Sequence, residues 1–529
     1  MRWHQYQLIF ACFQIFFPSP EYSHRLIVES SVFHPVLRHQ NIATFEELIS
    51  LPFGRMGFNL LQFSILVMSL GGCLEYLIVV KDTAPTVLGY GNVHGDAVKR
   101  DIVLTLLWAF IMVPLTMLKD VSSLAAVSTV SLAVSIVLIV VIATQSPIQS
   151  NMAAHGGVYN VLKEYAFKPN VVNSINIFNE AFAWSYAALI FFHYMRRGTK
   201  KRWFQVTMIV NVLASLLYVA VGLPGYLGYL DHTQGDILNN FPAEGLVTNI
   251  ARTCFALIHT LTYPIEALIA REVIENWQEN RQVAESQIDI VDNASLGSKA
   301  VNVKGICETY FVSGEKLKIC MMVNVMALVP ALLLNDLGVV LALVGAVGGN
   351  VCTWIAPGLI YLGVNGDKFL SMTNRALGYD DQSEELNIKL YLPQEDEAEP
   401  EREISRTNQF RPFWWYLFGF PLWCYIASRG RKHMRAELQR LAQDDIIVDR
   451  LGVLLININC RQCGKCLQSN SASFESICGC SPFMTGEMDV AHPSAFRFFI
   501  AAFLIVFGVF NLVVGLLFLN TARSEESFR

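Results

Sequence analysis

The stretch DLGVVLALVGAVGGNVCTWIAPGLIYL, residues 336–362, decides the fold class. No charged residue follows Asp336 within it, and a helix needs about 20 apolar residues to cross the hydrocarbon core of a bilayer. Glycines and a proline interrupt the stretch. In a membrane helix such interruptions persist where neighbouring helices or a cavity satisfy the freed backbone groups. The stretch therefore predicts a transmembrane helix packed inside a bundle.

Similar runs recur along most of the chain. Hydrophobic residues make up 53% of the 529 residues, charged residues only 16%, and the mean hydropathy is +0.40. A soluble domain carries about 25% charged residues, so the composition predicts an all-α polytopic membrane protein. Nine runs are candidate spans: 57–80, 102–118, 121–143, 175–194, 204–229, 246–269, 317–334, 337–362 and 496–520. A weaker tenth run, 8–28, is broken by Pro18, Pro20 and Glu21.

Polar segments divide the chain beyond residue 362. We predict a transmembrane core over 1–362, an acidic cytoplasmic linker over 363–410, and an interfacial or re-entrant helix over 411–428. A polar, cysteine-rich insertion over 429–495 and a last transmembrane helix over 496–520 complete the division. The basic segment RRGTKKR, residues 196–202, follows a span directly and is expected on the cytoplasmic side. The loop 230–245 then lies on the opposite side.

Motifs of soluble enzymes are missing from this sequence. It contains no P-loop, no HExxH, no nucleophile elbow and no dinucleotide fingerprint. The Lys and Arg clusters lie beside spans, where they set topology and need no nucleic acid. We therefore expect no enzymatic activity, no nucleic-acid partner and no organic cofactor.

The run ALIHTLTYPIEALIAREVIENW, residues 256–277, contains a proline inside a predicted span. Pro264 cannot donate to the helix and clashes with the carbonyl of Thr260. The hydroxyl groups of Thr260 and Thr262 lie beside that freed carbonyl, an arrangement that suits a sodium ion. The alternative is that both hydroxyls simply satisfy the proline kink.

Three acidic residues lie within predicted spans: Glu75, Glu180 and Glu266. Charged groups there are rare and usually functional, so each is a candidate for proton coupling. Buried pairing or snorkelling is the alternative.

Five cysteines cluster at Cys460, Cys463, Cys466, Cys478 and Cys480. Of these, Cys460, Cys463, Cys478 and Cys480 have the spacing of a zinc site. A poorly structured insertion is the favoured interpretation, because the loop is rich in Ser, Asn and Gly and no helix or strand pattern frames it.

Several motifs occur together in one order. The segments TFEELISLPFGRMGF (44–58), GYLGYLDHTQGDILNNF (225–241), LTYPIEALIAREVI (261–274) and 336–362 resemble the amino acid/auxin permease superfamily. The resemblance is closest to its sodium-coupled neutral amino acid transporter branch. It implies a LeuT-like fold with eleven helices, two inverted five-helix repeats, and a first and a sixth helix broken at mid-membrane, where substrate binds.

The resemblance also implies site residues. Phe182, Ala183, Trp184 and Ser185 match the sixth helix and are expected to line the substrate site. Thr262 matches a sodium ligand of the eighth helix. The implied function is secondary active transport of amino acids, neutral ones by sodium symport, by a monomer in the bilayer of the plasma membrane or of a vacuole or lysosome. The alternatives are a proton-coupled vacuolar or lysosomal permease using Glu180 or Glu266, and a non-transporting amino acid sensor.

One departure concerns the first helix. Nothing before Arg25 resembles the family's glycine-bearing first helix, and PEYSHRLIVESS (20–31) resembles the end of the second. The first helix is therefore expected to be missing from this chain. The sixth helix is also altered, since FAWSYAALIFFHYMRRGTKKRW keeps only the beginning of the family pattern.

Overall fold

A computed structural model describes residues 19–35, 37–39, 42, 44–89, 97–117, 125–157, 159–161, 171–195, 198–289, 314–376, 420–451 and 494–526. The described part is helical and contains no strand. The helices are α1 Ser19–Ser31, α2 Phe45–Val87, α3 Ala97–Leu107, α4 Val113–Thr116, α5 Ala125–Gln145, α6 Ile148–Ala154, α7 Val171–Ala181, α8 Ala188–Tyr194, α9 Lys200–Tyr229, α10 Leu246–Asp289, α11 Glu315–Leu333, α12 Leu337–Val344, α13 Ala356–Val364, α14 Gly366–Ala376, α15 Phe420–Leu451 and α16 Ala495–Glu526.

Short 3₁₀ or π-helical turns join several of these helices. The π-helical turn Trp108–Met112 connects α3 to α4, and the π-helical turns Gly345–Gly349 and Val351–Ile355 connect α12 to α13. A 3₁₀ turn, Ser185–Ala187, precedes α8, and another, Ile237–Asn240, lies in the loop before α10. The region 337–364 is therefore one continuous helical span with a wide middle.

Within the described residues, seven helices are long and apolar enough to cross a membrane, and a bent pair makes an eighth. Seven of the predicted spans match these helices, and the predicted span 121–143 corresponds to the bent pair Thr129–Gln145 and Ile148–Ala154. The predicted span 102–118 falls on the helical stretch 97–116, which carries Lys99, Arg100 and Asp101 near its start. The chain is thus a multi-pass, all-helical membrane protein, as the sequence predicts.

The centre of the bundle is built from α2 and α10, which pack along each other more extensively than any other described pair. Helices α12 and α13 pack against α2, α7 packs against α12 and the turn Gly345–Gly349, and α16 covers α13 and α7. Buried apolar side chains form one cluster around α1, the start of α2, α8 and α13, and a second around the end of α2, α10 and α11. Exposed apolar side chains concentrate on α5, α9 and α16, as expected for lipid-facing surfaces.

Helix ends are set by local sequence. Thr44 caps α2 in a reciprocal pair with Glu47, each bond 3.3 Å long. The Asp336 carboxylate accepts from the N–H groups of Gly338 and Val339 and so begins α12. Inside α2, Gly54 adopts φ +57°, which breaks the helix there.

Helix α15 begins within the segment predicted as an interfacial helix and extends well past it. Residues 429–451, predicted as the start of the polar insertion, are helical because α15 runs to Leu451. His433 lies against Gly54 in the break of α2 and contacts the Leu51 carbonyl oxygen through Nδ1 at 2.8 Å. Helix α15 therefore packs on the break of α2. The cysteine cluster over 460–480 lies outside the described residues.

Candidate binding site at the broken helix

The predicted span 175–194 is broken in its middle. Helix α7 ends at Ala181, residues 182–184 are not helical, and the chain resumes through the 3₁₀ turn Ser185–Ala187 into α8. No Gly or Pro occurs between residues 171 and 195, so the usual signals of a break are missing. The interruption is held instead by contacts with neighbouring helices.

One of these contacts satisfies the end of α7. The hydroxyl of Tyr218, from α9, donates to the carbonyl oxygen of Ala181 at 3.1 Å. The rings of Tyr218 and Phe182 meet edge to face at 5.3 Å between centroids. An unpaired carbonyl in a bilayer costs several kcal/mol, so this hydroxyl stabilises the broken conformation.

A buried amide network fixes α7 on the span 337–364. Asn179 donates to the Oδ1 of Asn350 at 2.7 Å, and Asn350 donates to the Oδ1 of Asn176 at 3.1 Å. The indole N–H of Trp354 donates to the Oδ1 of Asn179 at 2.8 Å. All four side chains are at most 1% exposed. The network sets the register of the broken helix against its neighbour.

Glycines in the turn Gly345–Gly349 permit this close approach. A Cβ on Gly345 would lie 1.8 Å from the carbonyl oxygen of Asn176, and one on Gly349 would lie 3.0 Å from the backbone of Asn179. Only glycine fits where two backbones are this close. The GAVGG sequence of the predicted span therefore serves to place α7.

A cavity of about 270 Å³ opens beside the break. Helix α2 forms one wall, the broken helix a second, and α10 a third. Its lining residues are Ile65, Met68, Ser69, Gly72, Glu75, Tyr76, Glu180, Ala181, Ala183, Trp184, Tyr186, Glu266 and Ile269. The cavity thus lies between the two central helices and the broken helix.

The cavity brings together the three predicted acidic residues. Glu75 of α2 and Glu180 of α7 are in hydrogen-bonding contact. Such a contact requires a proton on one of them, because two carboxylates offer only acceptors. The Oε1 atom of Glu75 and the Oε2 atom of Glu180 are buried and have no hydrogen-bond partner among the described residues.

Glu266 enters the cavity from α10 and lies on α2. A Cβ on Gly72 would lie 3.1 Å from the Cγ atom of Glu266 and 3.5 Å from its Oε2 atom. Glycine at position 72 therefore leaves room for the Glu266 side chain against α2.

The four predicted substrate-site residues have different positions. Ala183 and Trp184 line the cavity. Phe182 is buried and faces α9, and Ser185 is fully buried with its hydroxyl unpartnered among the described residues. The Trp184 ring stacks on His24 of α1, with 3.7 Å between centroids, which fixes the indole at the cavity wall.

The two predicted sodium ligands lie on α10 outside the cavity lining. Thr260 donates to the carbonyl of Ala256 and Thr262 to that of Ile258, both at 2.8 Å. Thr262 lies one helical turn before Glu266 and on the same face. The hydroxyl oxygens keep lone pairs, so this geometry leaves both the ion-binding and the kink-satisfying interpretations open. In the described part of the chain, no three His, Cys, Asp or Glu side chains are placed to hold a metal ion.

A second pocket, of about 320 Å³, lies at the loop 230–245. Asp82, Asp236 and Asp336 line it together with Asn239. Asp82 is ion-paired with Arg100, and Asn239 donates to its other oxygen at 3.1 Å. Asp236 caps the turn Ile237–Asn240, but its Oδ2 atom is buried and unpartnered among the described residues. Burial, followed by the nearby charge of Asp82, raises the pKa of Asp236 to about 7.

Sequence reasoning did not identify several residues of the site. Ser69, Gly72, Tyr76 and Tyr186 line the cavity without having been predicted. A signal for the first two was available, because SLGGCLEY places small residues within two turns of Glu75 in a predicted span. The buried asparagines of α7 were also detectable as polar residues inside a span.

Comparison with known protein families identifies the family of this chain. The family model described as transmembrane amino acid transporter protein matches residues 20–379. The chain belongs to this family. The match includes α1 to α14 and all three walls of the cavity, whereas α15 and α16 lie beyond it. The resemblance to the amino acid/auxin permeases is thereby confirmed.

Individual relatives are distant. Vacuolar amino acid transporter 2 of Saccharomyces cerevisiae is 25% identical over 44% of this chain and 49% of its own length. Vacuolar amino acid transporter 6 of the same yeast is 24% identical over 60% of this chain and 76% of its own length. Sodium-coupled neutral amino acid transporter 11 of Bos taurus is 21% identical over 63% of this chain and 67% of its own length. The alignment thus spans about half of the first of these relatives.

Proposed function

We propose that this protein carries amino acids across a membrane through the cavity beside the broken helix, in symport with protons. The observation that carries the proposal is the contact between Glu75 and Glu180, which bridges two walls of the cavity. A shared proton at a substrate-sized cavity is the arrangement that proton-driven uptake requires, because protonation and substrate binding then occur at one place. Acidic residues inside membrane bundles commonly form proton relays.

The cavity favours the ammonium group of an amino acid. The carboxyl groups of Glu75, Glu180 and Glu266 face it, and α7 ends at its wall. The carbonyl end of a helix carries partial negative charge and attracts cations. The ammonium group is therefore expected to bind next to Glu180, close to the end of α7.

Proton coupling follows from the same contact. One proton already lies between Glu75 and Glu180 when they are hydrogen-bonded. A second proton neutralises the pair, and in the membrane interior a neutral pair is far cheaper to enclose than a charged one. The other titratable side chains lining the cavity are Tyr76, Tyr186 and Glu266, with no Lys, Arg or His among the lining residues. A loaded, protonated site can thus close and reopen on the other side.

Sodium symport is the second candidate. The observation that favours it is the position of Thr262, one turn from Glu266 and beside the Thr260 carbonyl that Pro264 leaves free of its helical donor. Sodium would bind hydroxyl and carbonyl oxygens there. The names of the relatives do not separate the two candidates, because two relatives are named as vacuolar transporters and one as a sodium-coupled transporter. The proton proposal places the protein in the membrane of an acidic compartment.

Uptake into proteoliposomes tests the proposal. The purified full chain is reconstituted, and accumulation of labelled amino acids is measured under an imposed pH gradient, with choline or sodium outside. Accumulation that requires the pH gradient and persists in choline supports proton symport. Dependence on sodium, unaffected by the pH gradient, would favour the Thr262 site. Binding without accumulation under either gradient would indicate a sensor.

A further inference from the structure

The cavity beside the broken helix offers more carboxyl groups than a neutral amino acid can pair. Of its thirteen lining residues three bear carboxyl groups, and none is Lys, Arg or His. When Glu75 and Glu180 share one proton and Glu266 is ionised, the pair and Glu266 together carry two negative charges. A neutral amino acid is a zwitterion and removes none of this charge. An unbalanced charge in a protein interior is strongly unfavourable.

A substrate with one extra positive charge changes the net charge of the loaded cavity. Together with the coupling proton, a basic amino acid brings two positive charges into the cavity, which equals the charge on the pair and Glu266. A neutral amino acid with one proton leaves one negative charge unpaired, and an acidic amino acid leaves two. Charge balance therefore favours a basic side chain.

The position of Glu266 matches this requirement. It enters from α10, whereas Glu75 and Glu180 come from α2 and α7. The close contact of its side chain with Gly72 holds it against α2. The cavity thus offers an acidic group on a third wall, separate from the pair that serves the proton and the substrate ammonium.

The remaining walls suit the stem of a long basic side chain. Ile65, Met68 and Ile269 provide apolar surface, which packs on the methylene groups of lysine or arginine. The rings of Tyr76 and Trp184 provide faces for a cation. Stacking of Trp184 on His24 holds the indole in place.

We propose that the substrates of this site are basic amino acids, with Glu266 as the counter-ion of the side-chain ammonium or guanidinium group. This inference rests on the proposed transport function. It assigns to Glu266 the choice between substrates and leaves proton coupling to Glu75 and Glu180.

Ligand binding to the purified full chain tests the inference separately from transport. Thermal stabilisation is measured with L-lysine, L-arginine, L-leucine and L-glutamate, since a ligand that binds the folded state raises its stability. We expect lysine and arginine to stabilise the protein at concentrations at least tenfold lower than leucine, and glutamate to have no effect. Equal or stronger stabilisation by leucine would overturn the inference.

Variants at position 266 locate the effect. Glu266→Gln should weaken lysine binding at least tenfold, and Glu266→Asp should restore part of it. Glu272→Gln, at an exposed carboxylate further along α10, is the matched control and should bind lysine like the original chain. Undiminished lysine binding by Glu266→Gln would contradict the assignment.

The two proposals fail in different ways. Lysine binding without accumulation under any gradient would overturn the transport function and leave the substrate class standing. Accumulation of leucine with no preference for lysine would overturn the substrate class and leave transport standing. No binding of any of the four amino acids would overturn both.

Discussion

The buried amide groups of Asn176, Asn179 and Asn350 do for this bundle what apolar packing does in a soluble core. In a bilayer there is little hydrophobic drive between helices, so hydrogen bonds and close packing hold them together. The 2.7 Å bond between Asn179 and Asn350 joins α7 to the span behind it. Asn179 and Asn176 lie one and four residues before Glu180 in sequence, so they also determine where its carboxyl group points.

Replacing Asn350 with Leu should destabilise the protein. The change leaves the buried amide donor of Asn179 and the buried amide oxygen of Asn176 without partners, at a cost of about 1–3 kcal/mol. The loss is measured as the difference in the free energy of unfolding in detergent between the variant and the original chain.

The matched control is Asn511→Leu in α16. Asn511 is 0% exposed, and both of its side-chain polar atoms have no partner among the described residues. Leucine there should be neutral or stabilising, because no bond is lost. Equal destabilisation by the two variants would show that the amide network has no special part in stability.

The stability of the second pocket, at the loop 230–245, is expected to depend on pH through Asp236. Because its pKa is raised to about 7 by burial and then by Asp82, the folded loop holds a proton that an unfolded loop releases near the usual carboxyl range. The buried arrangement is thus most stable at low pH and loses stability as pH rises toward 7. Asp82, Arg252, Asp336 and His232 are the charged or titratable neighbours.

Hydrogen exchange checks this prediction. Amides of the loop 230–245 should exchange more slowly at pH 5.5 than at pH 8, after correction for intrinsic rates. Asp236→Asn should abolish that difference, since a neutral amide cannot ionise. A difference of the same size in the variant would assign the effect to another group.

Among the helices, the broken one depends on its neighbours more than on its own sequence. The spans themselves could be predicted because the bilayer demands a long apolar run, which is a local property. The break after Ala181 has no such local signal, since no Gly or Pro marks it and it is held by Tyr218 and by the asparagines of two helices. Only the resemblance implied a broken helix there. The resemblance placed residues 182–185 at the site, but only the fold separates Ala183 and Trp184, which line the cavity, from Phe182 and Ser185.

Gly345→Ala tests the contact that holds the broken helix. The added Cβ would meet the Asn176 carbonyl oxygen at 1.8 Å, and backbone atoms cannot move aside as a flexible side chain can. Overpacking of this kind costs about 1–3 kcal/mol, so the midpoint of thermal unfolding should fall and substrate binding should weaken. Leu343→Ala, at an exposed side chain two residues earlier, should change both far less. Unchanged stability in Gly345→Ala would contradict the close packing.

In the molecule as a whole, three helices distant in sequence supply one acidic cavity. Glu75, Glu180 and Glu266 were each predictable as intramembrane acids, but nothing in the sequence alone showed that they share a cavity. Their assembly depends on the packing of α2 along α10 and of α7 against the span 337–364. Outside the family match, α15 rests on the break of α2 through His433, so the added C-terminal part contacts a wall-forming helix.

The central claim is that the carboxyl pair at the broken helix carries the coupling proton. It is tested most directly by comparing two transport modes of Glu180→Gln in proteoliposomes. Accumulation driven by a pH gradient should be lost, whereas exchange of labelled for unlabelled amino acid across the membrane should continue at raised substrate concentration. Exchange needs no net proton movement, and the amide oxygen introduced by the substitution still accepts from the substrate ammonium group, although it binds that group more weakly than a carboxylate does. Glu272→Gln should retain both modes. Accumulation by Glu180→Gln at the rate of the original chain would contradict the account.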